Sequence, residues 1–161
     1  MIAIRNYKSA DAAAINKLAV KAFSDYSDHY ENWQEFSHRL KSFSSMSSHG
    51  EIIVATSNGE IVGAVGYLSA QKDKPDHFPK NTPIIRILVV APEKRGVGLG
   101  RKLTQECINR AIRDKSKSIA LHTSPIMKVA LPMYQRMGFE RFSHAPDIYG
   151  VKYHVYVKKL A

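Results

Sequence analysis

Arg95-Gly96-Val97-Gly98-Leu99-Gly100 lies between a β-branched run and an amphipathic run. Three glycines at alternate positions bare the main-chain N–H groups and let another molecule approach the backbone closely. Upstream, Ile84-Ile85-Arg86-Ile87-Leu88-Val89-Val90 reads as a core strand bounded by Pro83 and Pro92. Downstream, Leu99, Leu103, Cys107 and Ala111 recur every four residues, with Ile108 and Ile112 beside them, as on a half-buried helix. A glycine loop that opens a helix is an anion site, because free N–H groups and the positive end of the helix dipole point the same way. Arg95, Arg101 and Lys102 add charge there. The chemistry implied is the binding of a pyrophosphate.

Two phosphate-binding patterns are excluded. The P-loop needs Gly, four residues and then Gly-Lys-Ser/Thr, and no such run exists. The dinucleotide pattern G-x-G-x-x-G would place its third glycine at Arg101 or at Leu103. What fits is Arg-x-x-Gly-x-Gly, on Arg95, Gly98 and Gly100. A second segment, Ala-Leu-Pro-Met-Tyr-Gln-Arg-Met-Gly-Phe, carries Ala130, Tyr134, Gly138 and Phe139. Together, in their strand–loop–helix settings, the two blocks resemble the acetyl-CoA signature and the following helix of the GNAT acyltransferase superfamily. The resemblance covers the chain well from about Glu51 onward and the first fifty residues loosely.

That resemblance implies an acetyl-CoA-dependent N-acetyltransferase, a transferase that acetylates a small-molecule or peptide amine by direct attack in a ternary complex. It implies a pyrophosphate held by Arg95, Gly96, Val97, Gly98, Leu99, Gly100 and Arg101, and a pantetheine arm paired with the backbone of Leu88, Val89 and Val90. A backbone N–H near Val90 is the expected oxyanion donor. Tyr134 is the expected general acid: its ordinary pKa is about 10 against about 8.5 for a thiol, so it can donate to a departing sulfur. Two departures stand out. Met127 occupies the position where relatives often carry a cofactor-contacting Asn, and Pro132 falls inside the predicted helix, which therefore starts late or is kinked. Where many relatives carry a Glu base, the central strand offers only Arg86. His122, at the end of the next strand, suits a base by type, with Glu51 or a water chain as alternatives. A non-catalytic GNAT-fold module that binds acyl-CoA or regulates is the second reading.

The elements that must position these groups follow from pattern. A short strand is expected over Ala3–Tyr7, then a helix over residues 10–22 capped by Ser9. A second helix over 31–43 places Trp33, Phe36, Leu40 and Phe43 on one face, and these aromatics, with Tyr26 and Tyr30, either line the acceptor pocket or pack as core. Residues 44–50 read as a polar connection, and residues 72–82, with two prolines, as a loop. Glu51–Ser57 and Glu60–Ser69 read as strands joined at Asn58-Gly59, the strongest short hairpin signal. After the glycine loop and its helix come a strand over Ser118–His122, helical residues 126–137 and closing strands over Phe139–Ser143 and Val151–Lys159. This is an α/β (α+β) order, a mixed and mostly antiparallel sheet flanked by about four helices, in one domain over residues 1–161.

The formal charge is +10 and hydrophobic residues make up 44%, which excludes a disordered chain and calls for an anionic partner. A CoA-type ligand accounts for part of that charge. Nucleic acid is disfavoured: no basic run of five exists, no RNA-binding aromatic signature appears, and Arg110, Arg113, Lys115 and Lys117 suit a helix C-terminus. Cys107, the only cysteine, falls on the apolar stripe and reads as a buried, inert thiol. No Cys/His zinc spacing exists, no signal-peptide core follows Met1, and no run of eighteen apolar residues is present. A cytoplasmic protein without a membrane span is expected, and the resemblance leaves a homodimer open.

Overall fold

The computed structural model describes residues 1–161. Seven strands form one sheet in the order β1-β2-β3-β4-β5-β7-β6. They are β1 (Ile2–Asn6), β2 (Glu51–Ser57), β3 (Glu60–Leu68), β4 (Ile84–Val90), β5 (Ser118–Thr123), β6 (Glu140–Ile148) and β7 (Val151–Lys159). All neighbours are antiparallel except β4 and β5. That parallel pair needs a crossover, supplied by α3 (Leu99–Arg113). The other helices are α1 (Ala12–Phe23), α2 (Trp33–Leu40) and α4 (Ala130–Arg136).

Local sequence explains most boundaries. Asn58 and Gly59 take positive φ of 53° and 82°, so the β2–β3 connection has the left-handed pair that matches strand twist. The first helix is not capped by Ser9, which lies in a 3₁₀ turn, Ser9–Asp11. Asp11 closes that turn instead. Its carboxylate accepts from the Lys8 N–H at 2.8 Å and from both terminal nitrogens of Arg5 at 2.8 and 2.9 Å. The predicted helix over 31–43 is shorter, because Asn32 caps it by accepting the Glu35 N–H at 3.1 Å and the chain turns out at Lys41. Residues Phe43–Ser48 form a 3₁₀ turn that buries Phe43 and Met46 rather than a purely polar connection.

Helices cover both faces of the sheet. A side chain at Gly63 would meet Leu103 of α3 at 3.0 Å, whereas one at Gly66 would meet the end of Met46 at 2.3 Å. The two glycines are three residues apart on β3 and so face opposite ways. α3 packs on one face, and the 3₁₀ turn over Phe43–Ser48 on the other.

Two irregularities in the centre of the sheet create the site. The first is a bulge in β4. Ala64 opposes Val89 while Gly66 opposes Arg86, and between them Ile87 adopts φ of 51°. That conformation costs a β-branched residue about 1–3 kcal/mol and marks positions under functional constraint. The second is a split: β4 and β5 pair only at Ile84↔Ala120, with Ala120 N–H donating to Pro83 at 3.0 Å. Beyond that point the strands diverge.

Candidate active site

A cavity of about 590 Å³ opens where β4 and β5 part. Its walls come from Ile85–Leu88 of β4, Leu121–Thr123 of β5, Met127 before α4, Ala130 and Tyr134 on it, and Phe36 and Arg39 of α2. One continuous space therefore joins Leu88 and Tyr134 to the early helices.

The free edge of β4 follows from strand alternation. Ala91 N–H donates to Val62 at 2.8 Å, toward β3, so the N–H of Val90 points to the other edge, where no strand pairs with it. Leu88 and Val90 thus border the split with main-chain groups available, while those of Val89 face Ala64 of β3. Immediately beyond lies the glycine loop. Gly96 and Gly98 adopt φ of 84° and 82°, which only glycine takes without strain, and a side chain at either would meet nothing within 4 Å. None of the N–H groups from Gly96 to Arg101 donates to another group of the protein, and Gly98 is the N-cap of α3. These donors and the dipole of a 15-residue helix converge outward, as an anion cradle requires. A side chain at Gly100 would meet Met133, Leu88 and Val90 at 3.6–3.8 Å, so the cradle and the free strand edge are contiguous.

Arg95 has a structural role visible in its contacts. Its guanidinium pairs with Asp25 and donates to the Ala22 carbonyl at 3.1 Å, tying the glycine loop to the end of α1. Its N–H donates to the Pro92 carbonyl at 3.4 Å, so the free main-chain donors begin at Gly96. Arg101 and Lys102 are exposed cations without ion pairs.

Tyr134 is buried, and its hydroxyl lines the cavity without a hydrogen-bond partner in the protein. Burial pushes its pKa well above the usual tyrosine value. α4 begins late, at Ala130, so Pro132 falls in the first turn, where helical N–H groups have no partner within the helix and the ring costs nothing. The helix ends at Gly138, with φ of 99°, and Phe139 N–H donates to the Tyr134 carbonyl at 3.0 Å. This closure holds the Phe139 ring edge-on to Tyr134, centroids 5.8 Å apart, and fixes how the phenol is aimed.

His122 stands on the cavity wall two residues beyond Ala120, and Arg86 two beyond Ile84, so the pair flanks the point where the strands separate. His122 Nδ1 lies 3.1 Å from His77 Nε2, and the ring packs against Tyr153 and Phe78. Burial, then the charge of Arg86, then His77 hold the His122 pKa down at about 3. The imidazole is neutral at physiological pH. Glu51, the alternative base, is committed elsewhere: Arg113 and Arg110 grip its carboxylate at 2.8 and 2.6 Å and hold its pKa below the usual range. The same contacts use up part of the basic cluster on α3. Cys107 is fully buried, and burial pushes its thiol far up.

Of the early aromatics, Phe36 and Phe43 reach the cavity, while Tyr30 turns inward to hydrogen-bond Tyr153 at 2.6 Å and Trp33 packs on Tyr30 and Phe36. His77 and Arg39, which no sequence pattern singles out, reach the cavity from a loop and from α2.

A cleft at a split between two parallel strands, with a main-chain anion cradle at one end and a phenol on its wall, defines an acyltransferase-like site. The sequence profile of the acetyltransferase (GNAT) family matches residues 12–139, and the chain belongs to that family. Among curated relatives, Probable N-acetyltransferase family 8 member 5 of Mus musculus is 31% identical over 108 residues, 67% of this chain and 46% of that one. The chain spans less than half the length of that relative. Among solved structures, PH1933 from Pyrococcus horikoshii superposes with a TM-score of 0.78 at 17% identity, covering 100% of this chain and 99% of that one. A GNAT family acetyltransferase from Brucella melitensis in complex with acetyl-CoA gives 0.69 at 18%, covering 100% and 89%. The fold is the GNAT fold, and no helix is long and apolar enough to cross a membrane.

Proposed function

We propose that this chain transfers an acetyl group from acetyl-CoA to a primary amine by direct attack, with both molecules held in the cleft between β4 and β5. The observation that carries the reading is the continuity of three features: unpartnered N–H groups from Gly96 to Arg101, the free edge at Leu88 and Val90, and the unpaired Tyr134 hydroxyl. These residues fit acetyl-CoA, which when bound supplies an acyl group already activated as a thioester.

Each group has a defined task. The loop from Gly96 to Arg101 binds the pyrophosphate through main-chain donors, with Arg101 adding charge and Arg95 anchoring the loop through Asp25 and Ala22. The backbone of Leu88, Val89 and Val90 aligns the pantetheine arm, and an N–H near Val90 polarises the carbonyl, a contact whose loss costs about 3–4 kcal/mol. Tyr134, protonated across the physiological range, holds a proton for the departing sulfur. His122 receives the proton released by the amine, but weakly. Taking it from an ammonium of pKa about 10 to an imidazole near 3 costs roughly 9–10 kcal/mol, at about 1.4 kcal/mol per pKa unit. The reactive acceptor is therefore the free amine.

Replacing Tyr134 by Phe tests this assignment. Turnover with an acetylated amine is expected to fall about 10²-fold or more while acetyl-CoA affinity is kept. Unchanged turnover removes Tyr134 from the chemistry. Arg86 in place of a strand carboxylate, together with the low pKa of His122, favours one second reading, an acyl-CoA-binding or regulatory module. Binding of acetyl-CoA with no turnover across a panel of amines at pH 9 would establish it.

A further inference from the structure

Arg86 is the only charged side chain on the central strand, and it takes part in no ion pair. Arg5, Arg95 and Arg110 are by contrast matched, by Asp11, Asp25 and Glu51. The guanidinium of Arg86 forms no hydrogen bond within the protein, yet none of its nitrogens is sealed from the cavity it lines. The neighbouring charge acting on it is another cation, Arg39, which lies over the Tyr149 ring at 5.8 Å and lines the same cavity. A half-buried cation beside a second cation is costly unless an anion completes it. More than half of the wall is apolar, with Phe36 and Phe43 contributed from the early helix and turn.

We propose that Arg86, assisted by Arg39, binds a carboxylate on the acceptor molecule, so that the substrate is an amine that also carries a carboxylate and an apolar body. This rests on reading the cleft as an acyl-transfer site. A planar guanidinium presents paired donors matched to a carboxylate. Asp73 and Asp147 line the same cavity, which disfavours a dianionic phosphate. The position of Arg86 adds a consequence. It stands beside His122 at the mouth of the split, and its field lowers the proton affinity of that imidazole. A bound carboxylate offsets this field, so the correct acceptor strengthens the proton acceptor as it binds.

The test uses the full chain without acetyl-CoA and two probes of equal shape, 4-methylpentanoate and its neutral analogue 4-methylpentanamide. Calorimetric titration is expected to show the carboxylate binding at least tenfold tighter than the amide. The imidazole resonances of His122 and His77 should move with the carboxylate alone. Arg86→Met should reduce the preference to twofold or less, and Arg86→Lys should keep part of it. No detectable carboxylate binding, equal binding of both probes, or a preference that survives Arg86→Met overturns the proposal. So does tighter binding of 3-methylbutyl phosphate. Acetyl-CoA titrated into the same sample reports separately on the acyl-transfer reading, so either can fail while the other stands.

Discussion

His122 ties stability to pH with a sign and size that follow from its surroundings. In the unfolded chain its pKa is about 6.5; in the folded protein burial, Arg86 and His77 hold it at about 3. A depressed histidine stabilises the fold fully above the unfolded value, where both states are neutral. That contribution is lost as pH falls from 6.5 toward 3, because the unfolded chain takes up a proton that the folded one refuses. At pH 5 the loss is about 1.5 units, or roughly 2 kcal/mol. His122→Gln removes the titration while its amide keeps a hydrogen-bonding partner for His77. Denaturant unfolding of parent and variant at pH 8 and pH 5, at fixed salt, isolates the effect, because other groups cancel in the comparison. Between those values the parent should lose about 2 kcal/mol more than the variant. Arg86→Met should recover only part, since burial is the larger cause. Equal losses in parent and His122→Gln would refute the description of this pocket.

Other outcomes follow from the same geometry. Tyr134→Phe should unfold within about 0.5 kcal/mol of the parent, because the phenol bonds no protein group, so a loss of turnover could not be assigned to misfolding. The rate at low acceptor concentration should rise with pH and level off near the pKa of the acceptor amine, with no inflection near 6.5; a clear inflection there would contradict a buried, depressed His122. Cys107 should resist alkylation by iodoacetamide in the native protein and react on unfolding, as mass spectrometry would show.

The parts of this fold legible in the sequence are those set by neighbours along the chain. The run over 84–90, the glycines at 96 and 98, the four-residue stripe of α3 and the Asn58-Gly59 turn each announce a local conformation, and each appears at its expected position. Pro132 likewise implies a late start or a kink for α4, and the helix takes the first course, beginning at Ala130. Ser9 misled because both it and Asp11 suit a helix start, and the choice is made by Arg5, which pairs with Asp11 from β1. The site was legible only in part. That Arg86 faces His122 depends on the Ile84↔Ala120 register, a single parallel contact that no local pattern encodes. His77 comes from a loop without periodicity, and its meeting with His122 spans 45 positions. The turn of Arg95 onto Asp25 spans 70. Such pairings belong to tertiary structure, and charge alone does not choose among them.

The central claim, that the loop at Arg95–Gly100 and the edge of β4 hold acetyl-CoA, is tested most directly by calorimetric titration of acetyl-CoA into the parent and into Gly98→Glu. The substitution puts a carboxylate at the opening of the cradle, on a backbone with φ of 82°. Micromolar binding by the parent, with none by a variant of unchanged circular dichroism, is the predicted result. Absence of binding by the parent, or undiminished binding by the folded variant, would contradict it.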